Sequence, residues 1–192
     1  MKKLSFLVAL TFSALGLFAQ SPKTGSETIT FPQVDSSPLD VVYYPLNTTK
    51  AKENTDPVIR VFYSRPFKKG REIFGVLEPF DKVWRLGANE STEIDFFKPV
   101  FINNTKVKPG RYSLFAVPGK EKWILIVNKQ TDKWGAFSYD QSKDVVRIEV
   151  PVEKPIKVVE ALSMTFNESE NTANLVIAWD NTQVSLPIKF KK

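Results

Sequence analysis

Val100-Phe101-Ile102-Asn103-Asn104-Thr105-Lys106-Val107, followed by Pro109-Gly110 and then by Tyr112–Val117, Pro118-Gly119 and Trp123–Asn128, carries the pattern that points to the architecture. Short β-branched and aromatic runs alternate with pairs of turn formers. Asn103-Asn104 tolerates the positive φ of a two-residue hairpin loop. The two Pro-Gly pairs reverse the chain again. No helical periodicity survives such spacing.

Upstream, Thr92-Glu93-Ile94-Asp95-Phe96-Phe97 alternates polar and apolar residues with period two, the pattern of a half-buried strand. Val83-Trp84-Arg85 reads as a short extended piece and Ile73–Leu77 as one helical turn. Val58–Ser64 and Leu39–Tyr44 read as strands. Downstream, strands are expected at Val145–Val152, Val158–Phe166, Asn174–Trp179 and Gln183–Ile188, the last two linked by Asp180-Asn181. About ten strands at a spacing of about 8–12 residues predict an all-β chain folded as a single antiparallel β-sandwich. Fifteen phenylalanines, five tyrosines and four tryptophans fall mostly on the apolar beats and are assigned to its core.

The N-terminus follows another logic. Lys2 and Lys3 precede the apolar run Leu4–Phe18, and Ala19 is a small residue at its exit. This is the pattern of a cleaved signal peptide spanning residues 1–19, with the mature chain starting at Gln20. Residues 20–57 form a polar N-terminal segment with one strand, and residues 58–192 the β-sandwich domain. Export implies a periplasmic or extracellular location and no integral membrane segment after cleavage.

Composition excludes several chemistries. There is no Cys and no His among 192 residues. Disulfides, thiol nucleophiles, Ser–His–acid triads and the usual zinc and non-haem iron sites are therefore absent. No metal and no cofactor is expected. Loss of Lys2 and Lys3 lowers the formal charge from +6 to +4. That mild excess favours weak attraction to anions but falls far below the basic stripe of a nucleic-acid binder.

Several strings together resemble a known family. They are Tyr63-Ser64-Arg65-Pro66, Lys69-Gly70-Arg71, Ile73-Phe74-Gly75, Val83–Thr92, Pro109–Phe115, Trp134-Gly135-Ala136-Phe137 and Asp144-Val145-Val146-Arg147. Over Val58–Ile188 the chain resembles domain-of-unknown-function family 2911. The resemblance implies a secreted bacterial β-sandwich and assigns no activity and no site residue. Leu86 departs from it where a small polar residue is expected, as does the long polar loop Leu46–Asp56.

Candidate site residues come from two segments. Arg65-Pro66-Phe67-Lys68-Lys69-Gly70-Arg71 places four cations in seven residues without an acid. It suits a carboxylate, sulfate or phosphate, with Gly70 allowing close backbone approach; a solvated basic loop is the alternative. Trp84-Arg85-Leu86-Gly87-Ala88-Asn89-Glu90 offers an aromatic floor and polar groups in succession, with Arg85 able to pair with Glu90. The ligand-binding set is thus Arg65, Arg71, Trp84, Arg85, Asn89 and Glu90, and no catalytic residue is assigned. Glu93 and Asp95, about 7 Å apart on one face of a strand, are the pair from which a glycan hydrolase would be built. Asp140-Gln141-Ser142-Lys143-Asp144 is oxygen-rich but lacks calcium-loop spacing.

The function expected is a non-enzymatic envelope module that binds a small polar or anionic ligand or another envelope protein. A carboxylate-dependent hydrolase acting on glycans and a purely structural envelope domain are the alternatives.

Overall fold

The computed structural model describes residues 29–50, 55–169 and 171–190. The signal peptide and its cleavage site lie outside the described residues. Ile29–Gln33 belong to a separate N-terminal unit and carry no regular secondary structure. The folded unit begins at Val34.

Eleven strands run through the described residues: β1 (Leu39–Tyr44), β2 (Ile59–Ser64), β3 (Thr92–Phe96), β4 (Val100–Ile102), β5 (Thr105–Val107), β6 (Gly110–Val117), β7 (Lys122–Asn128), β8 (Asp144–Pro151), β9 (Val159–Ser169), β10 (Thr172–Asp180) and β11 (Thr182–Lys189). They form a six-stranded sheet in the order β1-β2-β3-β6-β7-β8 and a five-stranded sheet in the order β5-β4-β11-β10-β9. Every pairing within the two sheets is antiparallel. The chain is the antiparallel β-sandwich expected. The strand foreseen in the polar N-terminal segment is β1, which pairs with β2 along its whole length.

Alternation decides what lies between the sheets. Ile59, Val61 and Tyr63 of β2, Ile94 and Phe96 of β3, and Leu175, Ile177 and Trp179 of β10 are all buried. Four rings lock one end of this core. Phe74 meets Trp84, Trp123 and Trp179 edge-on, with centroids 5.8, 4.8 and 6.1 Å away, and Trp84 stacks on Trp179 at 6.0 Å. The outer face of the first sheet carries a smaller core, Phe115 and Ile126, both closed from solvent, with the Tyr139 ring 5.1 Å from Phe115.

The Asn103-Asn104 hairpin is present as read. Both residues have positive φ (47° and 61°), and Ile102 faces Thr105 across a two-residue loop. One expectation needs correction: Ile73–Leu77 is not helical. Gly75 sits at φ 95° beneath the Phe80 ring, only 2.6 Å from where a Cβ would stand, and this turns the chain out of the helical path. The Gly75 N–H instead donates to the Glu78 carbonyl at 2.9 Å, and the Glu78 N–H donates to the Ile73 carbonyl at 2.9 Å. The loop that results holds Glu78 in a fixed place.

Candidate functional site

Three segments meet where the sheets are stitched together. After β2 the chain leaves the first sheet and lies along β9. The Leu162 N–H donates to the Pro66 carbonyl at 3.0 Å, and the Lys68 N–H to the Glu160 carbonyl at 2.7 Å. Lys69 and Gly70 then take successive positive φ values of 49° and 72°, closed by a bond from the Arg71 N–H to the Lys68 carbonyl at 3.1 Å. The Arg71 guanidinium folds back on the carbonyls of Lys68 (3.0 Å) and Phe67 (2.5 Å).

The second segment is the loop from Trp84 to Thr92. Trp84 exchanges two backbone bonds with Ala116, at 2.7 and 2.9 Å, and so extends the first sheet beside β6. Leu86 then adopts φ 56° while its side chain is fully buried. For a residue with a Cβ that conformation costs about 1–2 kcal/mol, and three bonds oppose the cost. The Thr92 N–H donates to the Arg85 carbonyl (3.1 Å), the Thr92 hydroxyl to the Leu86 carbonyl (2.7 Å), and the Trp84 indole to the Gly87 carbonyl (3.2 Å). Gly87 is tightly enclosed, since a Cβ would stand 3.1 Å from the Ser64 carbonyl oxygen and 3.2 Å from the Thr92 hydroxyl. The loop therefore presents Arg85 from a fixed frame.

The third segment is the turn that carries Glu78. With Ser36 and Ser37 ahead of β1 and Trp179 of β10, the three line a cleft of about 360 Å³. Lys69, Arg71 and Arg85 bring three cations to it, and Glu78 is the sole acid among its lining residues. Phe67, Leu77 and Trp179 supply apolar wall. None of the three cations forms an ion pair with a carboxylate among the described residues. Arg85 is the most exceptional: its Nε is wholly shielded from solvent and has no hydrogen-bond partner. Burial pushes the Glu78 carboxyl up to about 7, against the opposing pull of Arg85, the Trp84 indole and Arg71.

Of the six expected site residues, Arg71 and Arg85 meet in this cleft and the others do not. Arg65 is tied to structure, donating to the Leu162 carbonyl (3.0 Å), Asp40 (2.8 Å) and the Ser163 hydroxyl (2.8 Å). Trp84 is a core residue, 3% exposed, and the indole at the cleft is Trp179. Asn89 and Glu90 run beside the Lys133–Gly135 loop: the Gly135 N–H donates to the Asn89 carbonyl at 2.9 Å, and Glu90 bridges Trp134. Glu90 opens on a different cavity, of about 300 Å³, with Glu93, Arg111 and Lys133, so it makes no pair with Arg85.

Glu78 was not among the residues singled out from sequence. Its signal was slight: a lone acid between Leu77 and Pro79, in an otherwise apolar turn close to the basic segment.

The carboxylates read as a possible hydrolytic pair have other partners. Asp95 accepts two bonds from Arg60 at 2.9 and 2.6 Å. Glu93 accepts the Asp132 N–H at 2.7 Å and faces Arg111 at 3.4 Å. Asp140 caps a short 3-10 turn by accepting the Ser142 N–H, and Asp144 binds Asn128, Tyr139 and Arg147. Among the described residues no three acidic side chains gather as metal ligands would, and no helix is long and apolar enough to cross a membrane.

These features define an all-β sandwich with a cationic cleft at the seam of its sheets. The chain belongs to the family described as protein of unknown function (DUF2911), whose model matches residues 45–188. No curated protein and no solved structure matches it.

Proposed function

We propose that the chain is an exported, non-enzymatic binding module that holds a small anionic ligand in the Arg71–Glu78–Arg85 cleft. The observation that carries this reading is the Arg85 guanidinium. It is half-buried, lines the cleft from a loop held by three hydrogen bonds, and makes no ion pair with a carboxylate among the described residues. An anion in the cleft pairs with this guanidinium, with Arg71 and Lys69 alongside. Hydrolysis of a glycan by two carboxyl groups is the weaker reading, because the cleft offers one acid, Glu93 faces Arg111 and Asp95 is held by Arg60. Export to the periplasm or beyond rests on the Lys2-Lys3 and Leu4–Phe18 pattern.

Thermal shift and titration calorimetry with sulfate, acetate and octanoate test the site. At least one anion is expected to bind wild type, and Arg85→Ala is expected to lose that binding while melting within a few degrees of wild type. No binding by any of the three, or binding unaffected by Arg85→Ala, overturns the reading. N-terminal sequencing of the exported protein tests the localisation: a start near Gln20 supports it and a start at Met1 refutes it.

A further inference from the structure

Resting on that reading, we infer that the cleft's ligand is an amphiphilic organic acid, and that it binds together with a proton held on Glu78. The cleft is built for both halves of such a molecule. A small inorganic anion would use Arg85 and Arg71 but leave Phe67 and Leu77 in contact with water. An acyl or aryl chain beside the carboxylate covers these surfaces, and each buried methylene contributes about 0.8 kcal/mol. Phe67 and Leu77 are 37% and 39% exposed, so there is apolar area left to cover.

The proton follows from the charge arrangement. Glu78 is the single acid lining the cleft, and the charged groups facing it are Arg85, Arg71 and, from the β2–β9 connection, Lys69. Neither guanidinium forms an ion pair with it. The space they share is therefore open to a second carboxylate. Two ionised carboxylates in one half-buried site repel, so the arriving anion favours the protonated form of Glu78. A protonated Glu78 is also a donor, and an O–H to carboxylate bond is among the stronger hydrogen bonds. The proton comes from solvent, and binding takes it up because Glu78 is partly ionised near neutral pH.

Calorimetry with octanoate, 4-phenylbutyrate, acetate and sulfate, in buffers of different ionisation enthalpy, tests both parts. Octanoate or 4-phenylbutyrate is expected to bind at least about tenfold more tightly than acetate, as two or more buried methylenes require. These acids stay ionised above pH 6, so wild-type affinity should fall about fivefold or more from pH 6 to pH 8.5 as Glu78 ionises. Glu78→Gln, which keeps a donor and cannot ionise, should still bind and should flatten that profile. Arg85→Lys provides a folded check on the cation should Arg85→Ala unfold. Arg85-dependent binding of sulfate or acetate with no gain for the longer acids overturns this inference and leaves the anion cleft standing. Equal proton uptake by wild type and Glu78→Gln overturns the proton part. Failure of every anion removes the cleft reading itself.

Discussion

The Thr92 hydroxyl donates to the Leu86 carbonyl at 2.7 Å, across a loop in which Leu86 holds φ 56°. Thr92 is 1% exposed, so water cannot replace the bond. Thr92→Val keeps the shape and removes the donor. It should cost about 1–3 kcal/mol, the range for a buried carbonyl stripped of its partner. The melting midpoint should drop by several degrees, and the same variant should weaken anion binding, since Arg85 precedes the freed carbonyl. A midpoint equal to wild type would mean that the bond does not hold the loop.

Glu78 makes a separate claim on stability. Its carboxyl is raised from an ordinary 4.5 to about 7 by burial. The folded state therefore holds the proton more tightly than the unfolded state. The effect on stability is nil below about pH 4.5, a progressive loss as pH rises from there to about 7, and a constant deficit above. Partial solvent access limits the deficit to about 1–2 kcal/mol. Glu78→Gln should accordingly be more stable than wild type at pH 8 and equal to it at pH 4, measured by urea midpoints. Equal midpoints at both values would count against the raised carboxyl.

At the Asn103-Asn104 loop, φ values of 47° and 61° suit asparagine and glycine and resist β-branched residues. Asn104→Val should cost about 1–2 kcal/mol, and Asn104→Gly should lie within about 0.5 kcal/mol of wild type. Differential scanning calorimetry on the two variants checks the contrast; similar losses in both would point to a side-chain contact of Asn104 instead.

The strands were legible because the buried face of a two-sheet sandwich imposes period two, and the hairpins because asparagine and Pro-Gly pairs mark reversals. Local pattern also placed Trp84 on an extended segment. It did not show that Trp84 turns into the core to stack on Trp179, since that depends on a strand some ninety residues away in sequence. The candidate site was half legible for the same reason. Arg71 and Arg85 stand out as cations within two residues of a glycine, but their meeting depends on the Pro66–Lys68 segment lying along β9. Glu78 left only a slight mark in the sequence because its chemistry comes from enclosure by residues of other loops. Arg65 drew attention as one more cation in a basic run, yet Asp40, Leu162 and Ser163 fix it in the scaffold.

The Arg60–Asp95 pair on the outer face of the first sheet gives the last prediction. Asp95 keeps 11% of its side-chain surface exposed and Arg60 keeps 34%, so the two partners are unequally enclosed. The Arg60 guanidinium also lies 4.6 Å from the centre of the Phe62 ring and 5.5 Å from that of Phe97. Loss of Asp95 leaves an arginine that water and two rings still accommodate. Loss of Arg60 leaves a largely enclosed carboxylate without its partner, and strips the rings of their cation. Arg60→Leu should thus cost about 2–3 kcal/mol and Asp95→Asn about 1 kcal/mol, with the double variant less destabilised than the sum of the two. Chemical denaturation of the three variants reads this directly. If instead the losses were equal and additive, the contact would carry no coupling, and Asp95 would again be open to a role other than holding β2 against β3.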